Sequence, residues 1–475
     1  MQAFYDVAVI GAGPGGLLAA LRTAEHGLKT LIFEAGKNPD DGGPRLGGTC
    51  ANVGCIPSKA LLAASLAYAK AKNGQPVFGI AASDAPVDMA AVQKHRAKVV
   101  KDSNMGVAGM FKAAGVDMEP VCAFFKGKGE KGWILETADG RTVQAQNVVL
   151  ACGTEPRVLP GITLDEEVIC SNTGALSWVK VPETLGIIGA GVIGLELGSV
   201  WSRYGAQVTI LDLAETILPF AGKDVSQAAQ KSLTAQGLEL QLGVKIASVQ
   251  KLEAGVTVAY ERNGQAVTRT FEKLLVAVGR RSAVDSVNPE AVGLVVAPSG
   301  IVETDDEGRT NLPGVWALGD IVKGPQLAHK AMEEGRAVGD RIAGKTHPAG
   351  LSPVPSIVYT HPEFAWVGMT AEAAKTKGLT VSTGKAAFAH NGMARAMNAT
   401  EGFVEIVCEE PSGRLIGAQA VGDAAGEIIS SLTQAMAYGA THEDLSLVIW
   451  PHPAMSESIG DAALACLKAS SKTRG

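Results

Sequence analysis

The chain has 475 residues, 46% of them hydrophobic, and a formal net charge of −6. That length exceeds what one hydrophobic core supports and predicts two to four domains. Charges of both signs are mixed along the chain, and the absence of a basic block or stripe argues against nucleic-acid binding. Glycine supplies 57 residues, well above the ordinary usage of about 7%. With no glycine period and no low-complexity run, this excess points to tight turns and close ligand contacts. No basic stretch precedes an apolar run at the start, so a secretory signal is not expected. No uncharged, glycine-poor apolar run is long enough to span a membrane. Seven cysteines, sparse and odd in number, do not make a secreted disulfide framework. A cytoplasmic location is expected.

The first predicted element is a strand beginning close to Met1. It runs into YDVAVIGAGPGG at residues 5–16, where Gly11, Gly13 and Gly16 form Gly-x-Gly-x-x-Gly. A helix-like stretch follows, then a strand closing on TLIFE with Glu34. The same sequence of features returns at 184–194, TLGIIGAGVIG, with Gly189, Gly191 and Gly194, and Asp212 closes VTILD. Each acid lies 23 residues after the first glycine of its copy. The first glycine permits a tight turn, the second lets the backbone approach a pyrophosphate, and the third lets helix and strand pack closely. The helix start offers unpaired N–H groups to phosphate, and the acid accepts hydrogen bonds from a ribose diol. One copy could merely be a glycine turn joining strand to helix. Two copies with equal spacing predict two dinucleotides, or two halves of one redox relay.

Between the copies, GGTCANVGCIPSKALLAASLAYAK spans 47–70 and places four residues between Cys50 and Cys55. CIPSKALLAAS reads as a helix start, with Pro57 in its first turn, so Cys55 is expected near a helix N-terminus, where a thiolate is favoured. Three readings stand. A zinc half-site would need two further ligands at suitable spacing, and no partner pair stands out. Two inert structural thiols are a second reading. The favoured reading is a redox-active pair, because the short glycine-flanked loop makes disulfide geometry accessible. Cys122, Cys152, Cys170, Cys408 and Cys466 sit among apolar or small residues and read as packed thiols.

Further along, 98–115 reads as a helix, and GWILETA and RTVQAQNVVLACGT as strands. The second fingerprint's domain is expected over 158–273. LLVAVGRRS, from 274, begins a return segment that reaches WALGDI at 316–321, and 328–344 carries a helix pattern. The Pro-rich stretch 347–364 reads as a crossing linker. FVEIVCEE, RLIGAQAVG and a helix through EIISSLTQAMAYG then make an α+β unit.

GGTCANVGCIPSKALL closely resembles the active-disulfide segment of the pyridine-nucleotide–disulfide oxidoreductases. The likeness covers essentially the whole chain and keeps motif order. GAGPGG with Glu34 resembles that family's FAD site, and WALGDI, through Gly319 and Asp320, its second FAD contact. HPEFAWVG and GAQAVGDAAGEIISSLTQAMAYGA resemble its dimer-interface domain, and HPAMSE its His–Glu pair, here His452 and Glu457. GPQLAHKAMEEG, IPSK and the AGEI–AYGA stretch are most similar to the dihydrolipoamide dehydrogenase branch. Glutathione reductases usually read VPKK, and mercuric reductases carry a vicinal cysteine pair near the C-terminus.

The resemblance implies an α/β fold: two Rossmann-like dinucleotide-binding domains, for FAD and NAD, with a C-terminal α+β dimer-interface domain. Its boundaries would be 1–157 for the FAD-binding domain, 158–273 for the NAD-binding domain, 274–346 for a central domain and 347–475 for the interface domain. It implies an active disulfide of Cys50, the interchange thiol, and Cys55, the thiol beside the flavin. Lys59 and Glu196 would pair beside the flavin, and His329 would lie near its pyrimidine end. His452, reaching in from the other subunit of a homodimer, would be the acid–base, oriented by Glu457. Gly11, Gly13, Gly16, Glu34, Lys59, Gly153, Gly319, Asp320 and Ala328 would hold FAD. Gly189, Gly191, Gly194, Glu196, Asp212 and Gly279 would hold NAD. No metal site is implied. Asp212, with no Arg or Lys in the next four residues, predicts NAD over NADP.

The implied activity is oxidation of protein-bound dihydrolipoamide by NAD. The implied partners are lipoyl-bearing subunits of 2-oxoacid dehydrogenase or glycine-cleavage complexes. A related reductase for another disulfide or a metal species is the rival enzyme. A flavoprotein that serves a complex without catalysis is the rival from another class, and the intact cysteine and His–Glu pairs argue against it. One departure stands out: WPHPAMSE replaces the branch's usual HAHPT, which puts Trp450 and Pro451 before the base. Trp450 either packs at the interface or reshapes the substrate channel.

Overall fold

The computed structural model describes residues 3–347 and 353–473. They belong to two compact units. The first comprises Met1–Leu61, Ala90–Val158 and Val278–Leu351, and the second Leu62–Met89, Leu159–Ala277 and Ser352–Gly475.

In the first unit, strand Ala3–Ile10 lies parallel between Thr30–Phe33 and Thr142–Leu150. Thr30–Phe33 pairs in turn with Asp117–Glu119, and Thr142–Leu150 also takes Val315–Ala317 in parallel. Continuous apolar runs such as VAVI suit strands covered on both faces, and Val7, Val9, Leu31 and Ile32 are all buried. Helix Pro14–Glu25 follows the first glycine turn and packs on helix Ala328–Ile342. The two helices approach at backbone distance, for a Cβ on Gly335 would come within 2.3 Å of the Gly15 carbonyl oxygen. A buried carboxylate fastens the pair. Asp340 accepts from Arg22 Nε at 2.5 Å and meets His26 Nε2 at 2.7 Å and His347 Nδ1 at 2.9 Å. These hydrogen bonds hold its carboxyl well below the usual range despite burial.

The second unit holds two sheets that matter for the site. The parallel one runs Glu239–Gln241, Gln207–Leu211, Thr184–Ile188, Lys273–Val276, Ile169–Cys170. Lys273–Val276, where the return segment was expected to begin, is thus a strand of the second fingerprint's own sheet. The other sheet is antiparallel, ordered Ser356–Val358, Glu363–Gly368, Arg414–Gly422, Phe403–Glu409, Val381–Ala387. Helices Ala425–Ala437 and Glu457–Thr473 contribute Ile428, Ile429, Leu432, Ile459, Ala462 and Cys466 to its core.

Three expectations need amending. The helix expected at 98–115 starts nine residues earlier, as Met89–Ala114. The stretch 347–364 is not simply a crossing linker. Residues 348–352 lie outside the described ones, but Ser356–Val358 is an edge strand, and prolines are tolerated at a sheet edge. Finally, Gly48–Asn73 is by length and composition apolar enough to cross a membrane, with a mean hydropathy of 1.3. It is not one continuous helix, being broken at Gly54 into Gly48–Val53 and Cys55–Asn73, and 44% of its apolar window is buried.

Candidate active site

The first fingerprint turns at Gly11, whose φ is +106°. A Cβ there would meet the Ala151 carbonyl oxygen at 2.3 Å, and one on Gly16 would meet the Gly11 oxygen at 1.9 Å. Only glycine fits both places. Gly13 caps the helix without any side-chain hydrogen bond, and nothing lies within 4 Å of where its Cβ would be. The helix start therefore offers free N–H groups to an open cradle, which suits a diphosphate. Glu34 is 9% exposed, and its carboxylate accepts from the N–H groups of Ala12 at 2.9 Å and Gly36 at 2.6 Å. Burial pushes its carboxyl up, against those two hydrogen bonds. Each oxygen keeps a lone pair for a ribose hydroxyl.

The second copy repeats this. Gly189 has φ of +115°, a Cβ on Gly194 would sit 2.0 Å from the Gly189 oxygen, and nothing lies within 4 Å of a Cβ on Gly191. Asp212 accepts from Ala190 N at 2.6 Å and Ala214 N at 2.8 Å. Both acids thus brace their own glycine loops, a role that spacing alone did not disclose. Glu196, buried on the following helix, accepts from Tyr359 N at 3.0 Å.

Cys50 sits in its own short helix, Gly48–Val53, and Cys55 is the first residue of the next, as expected. Both are half-buried. Their side chains are in direct hydrogen-bond contact, and that contact, with burial, pushes the Cys50 thiol well up, while the charge of Lys59 opposes the shift. Asn52, between the cysteines and 1% exposed, pins the segment by donating to the Leu46 and Gly48 oxygens, both at 2.9 Å. Its own side-chain oxygen accepts from Asn104 Nδ2 at 2.9 Å.

The other residues named for FAD also fall in the first unit. Asp320 accepts from Thr154 Oγ1 at 3.0 Å, and Arg280 Nε donates to the same hydroxyl at 2.8 Å. Gly319 is clamped: its N–H donates to Glu334 at 2.8 Å, and Lys330 donates to its oxygen at 3.2 Å while pairing with Glu334 at 2.7 Å. Gly153 and Gly279 both have positive φ and open space at Cβ, and Ala328 begins a helix with no side-chain cap. Gly279 lies in the first unit, whereas the other residues named for NAD lie in the second. His329 is exposed at the start of the same helix as Ala328. Thr154, Arg280, Lys330 and Glu334 were missed by sequence reading. For the last two, the i,i+4 charge pair in KAMEE was the available signal, but it reads as a solvated helix face.

In the second unit, His452 Nδ1 meets Glu457 Oε1 at 2.8 Å, and Glu457 Oε2 accepts from Ala454 N at 2.9 Å. Those two contacts hold the Glu457 carboxyl down, the backbone one most. Glu457 is thus fixed by the turn that carries His452, and the imidazole, 79% exposed, presents Nε2 outward. Trp450 packs against the interface core, its indole nitrogen 2.7 Å from where a Cβ on Gly460 would be. Among the described residues no cluster of side chains is arranged to hold a metal ion.

Residues 5–335 match the pyridine nucleotide-disulphide oxidoreductase family, and residues 354–463 that family's dimerisation domain, which supports a homodimer. Over 98% of both chains, the sequence is 42% identical to a dihydrolipoyl dehydrogenase of Cupriavidus necator. It is 39% identical to the mitochondrial dihydrolipoyl dehydrogenase of Dictyostelium discoideum, over 97% of this chain and 93% of that one. Among solved structures, the HOCl-induced flavoprotein disulfide reductase RclA of Escherichia coli superposes with a TM-score of 0.84 at 26% identity, over 97% of this chain and 99% of that one. The two cradles fit FAD and NAD, the cofactors of this chemistry. With paired fingerprints, a contacting thiol pair and a matched dimerisation domain, the chain belongs to the pyridine nucleotide-disulphide oxidoreductase family and is a flavin-dependent dithiol–disulfide oxidoreductase.

Proposed function

We propose that this chain is a dihydrolipoyl dehydrogenase, which oxidises protein-bound dihydrolipoyl groups to lipoyl groups with NAD+ through Cys50, Cys55 and FAD. The contact between Cys50 and Cys55 at a helix start carries this reading, and full-length similarity to dihydrolipoyl dehydrogenases supports it. His452, reaching the site from the partner subunit of a homodimer, takes a proton from one substrate thiol, and Glu457 holds its ring and offsets the charge it gains. The substrate thiolate attacks Cys50 of the Cys50–Cys55 disulfide, forming a mixed disulfide and freeing Cys55 as thiolate. The second substrate thiol then attacks the substrate sulfur, closes the lipoyl disulfide and releases Cys50. FAD, which Gly11, Gly13, Gly16, Glu34 and Asp320 would hold, would supply two-electron transfer between the dithiol and NAD+. The charge of Lys59 steadies the thiolates.

In the FAD site, Gly11, Gly13, Gly16 and Ala328 give backbone room and N–H groups. Glu34 takes ribose hydroxyls, Asp320 a ribitol hydroxyl, and Gly153 and Gly319 keep the chain clear of the ring. Gly189, Gly191, Gly194 and Asp212 play the matching parts for NAD. A cytoplasmic homodimer serving the lipoyl-bearing subunits of 2-oxoacid dehydrogenase or glycine-cleavage complexes fits this role. Anaerobic titration with dihydrolipoamide, followed by absorbance, tests it. The protein should take up the electrons of a flavin and a dithiol together, and should reduce NAD+. Cys50→Ser should cut dihydrolipoamide turnover by about 10³ or more, as loss of a reacting thiol does. Uptake of only the flavin's electrons, or turnover with other disulfides and none with dihydrolipoamide, would overturn the proposal.

A further inference from the structure

Cys408 and Cys466 are the last two cysteines in the sequence, and neither is used in the reaction above. Cys408 lies on strand Phe403–Glu409 and Cys466 on helix Glu457–Thr473, and both side chains are 0% exposed. They are not two separate packed thiols. The side chain of Cys408 hydrogen-bonds that of Cys466, and Ser382, opposite Cys408 in the sheet, brings its Oγ to 3.3 Å from the Cys466 sulfur. The helix is pressed onto the sheet here: a Cβ on Gly384 would meet the Ala462 oxygen at 2.0 Å and the Cys466 nitrogen at 2.3 Å. With Ser382 bridging the two positions and the helix pressed this closely onto the strand, a disulfide needs little backbone movement.

We infer that Cys408 and Cys466 form a second oxidisable dithiol, separate from Cys50 and Cys55, which a peroxide converts to an intrachain disulfide. The Cys466 sulfur attacks one peroxide oxygen, forming a sulfenic acid as the O–O bond breaks and the other oxygen leaves as hydroxide, which takes up the Cys466 proton as water. The Cys408 sulfur then attacks the Cys466 sulfur, and the departing hydroxide takes the Cys408 proton. Two thiols and one hydrogen peroxide thus give one disulfide and two waters. The surroundings favour Cys466 as the attacking sulfur. Hydrogen bonds from Cys408 and Ser382 push its thiol down, while the shared proton and burial push Cys408 up. A cavity of about 750 Å³ opens beside the helix that carries Cys466, lined by Ser412, His442, Leu467, Lys468 and Ser470. Neither ring nitrogen of the buried His442 has a partner among the described residues, so unsatisfied polar atoms lie just beneath this wall.

The test is peptide mapping of the reduced, desalted holoenzyme before and after hydrogen peroxide. Remaining thiols are blocked in denaturant and the protein is digested without reductant. A peptide linking Cys408 to Cys466 should appear only after oxidation, and four of the seven thiols should then be protected from blocking. The same link should form in Cys50→Ser/Cys55→Ser and be absent from Cys466→Ala. If Cys408 and Cys466 are alkylated, or found as unlinked sulfinic or sulfonic acids, at a peroxide dose that has oxidised Cys50 and Cys55, the inference is wrong. A link that needs Cys50 and Cys55 would overturn direct reaction with peroxide.

Discussion

The two glycine fingerprints have the same spacing and nearly the same backbone, yet their surroundings differ. Around the first, Glu34 is buried, and a Cβ on Gly48 or Gly15 would strike Gly13 or Leu318. Around the second, Gly191 is exposed, Asp212 is half-buried, and Val192 and Leu213 are 38% and 73% exposed. The motif sets the contacts to a diphosphate, and enclosure sets how easily the ligand leaves. The first copy suits a cofactor that stays bound through many turnovers. The second suits one that arrives oxidised and leaves reduced. Damage to the first should therefore stop every activity, and damage to the second only the nicotinamide half.

The sharpest way to break this contrast is Gly16→Ala. The new methyl would lie 1.9 Å from the Gly11 oxygen. Overpacking of that kind costs about 1–3 kcal/mol, so flavin retention should weaken by up to about 10², and dithiol oxidation and dye-linked NADH oxidation should fall together. Flavin content measured after gel filtration checks it. His452→Gln separates the halves from the other side. Dithiol oxidation should fall by about 10², the usual worth of a positioned general base, while NADH oxidation by an artificial dye continues at its former rate. Loss of both would point to a dimerisation or folding defect.

Asp212→Asn should raise KM for NAD+ about tenfold, the worth of one charge-assisted hydrogen bond, and narrow the preference over NADP+. Its flavin content should match the unmodified protein; flavin loss would erase the distinction between the fingerprints. The smallest effect belongs to Trp450→His. Because the indole packs on Gly460 and the interface core, the thermal midpoint should drop by a few degrees, on the order of 1–2 kcal/mol of lost burial. KM for dihydrolipoamide should stay where it was, and a several-fold change would restore the channel role for Trp450.

The sequence disclosed most where chemistry forces local pattern. A glycine turn, an acid at fixed spacing, two cysteines before a proline-containing helix and a histidine five residues before a glutamate are all short-range signals. What stayed hidden is what the fold assembles from afar. Thr154 and Arg280 meet at Asp320 from distant parts of the chain. Asn104 reaches back to Asn52 beside the cysteines. Cys408 and Cys466 each looked like an ordinary packed thiol, because only tertiary packing brings a strand and a later helix to one point. Ser356–Val358 hid for another reason: prolines on both sides weaken the strand signal, and an edge position supplies the exception.

The seam between helices Pro14–Glu25 and Ala328–Ile342 has a consequence for how the protein is made. The helix that leaves the first fingerprint rests, almost backbone to backbone, on one encoded more than 300 residues later. Between them in sequence comes 159–277, which carries an uninterrupted parallel sheet. On the ribosome every strand of that sheet emerges before Ala328–Ile342 is made. The first unit must wait for its last strand and helix, roughly 15–60 s after its first helix at about 5–20 residues per second. Its glycine-lined helix face stays uncovered throughout, so the cradle of the first fingerprint is the last part of that unit to close and the one most dependent on protection during synthesis.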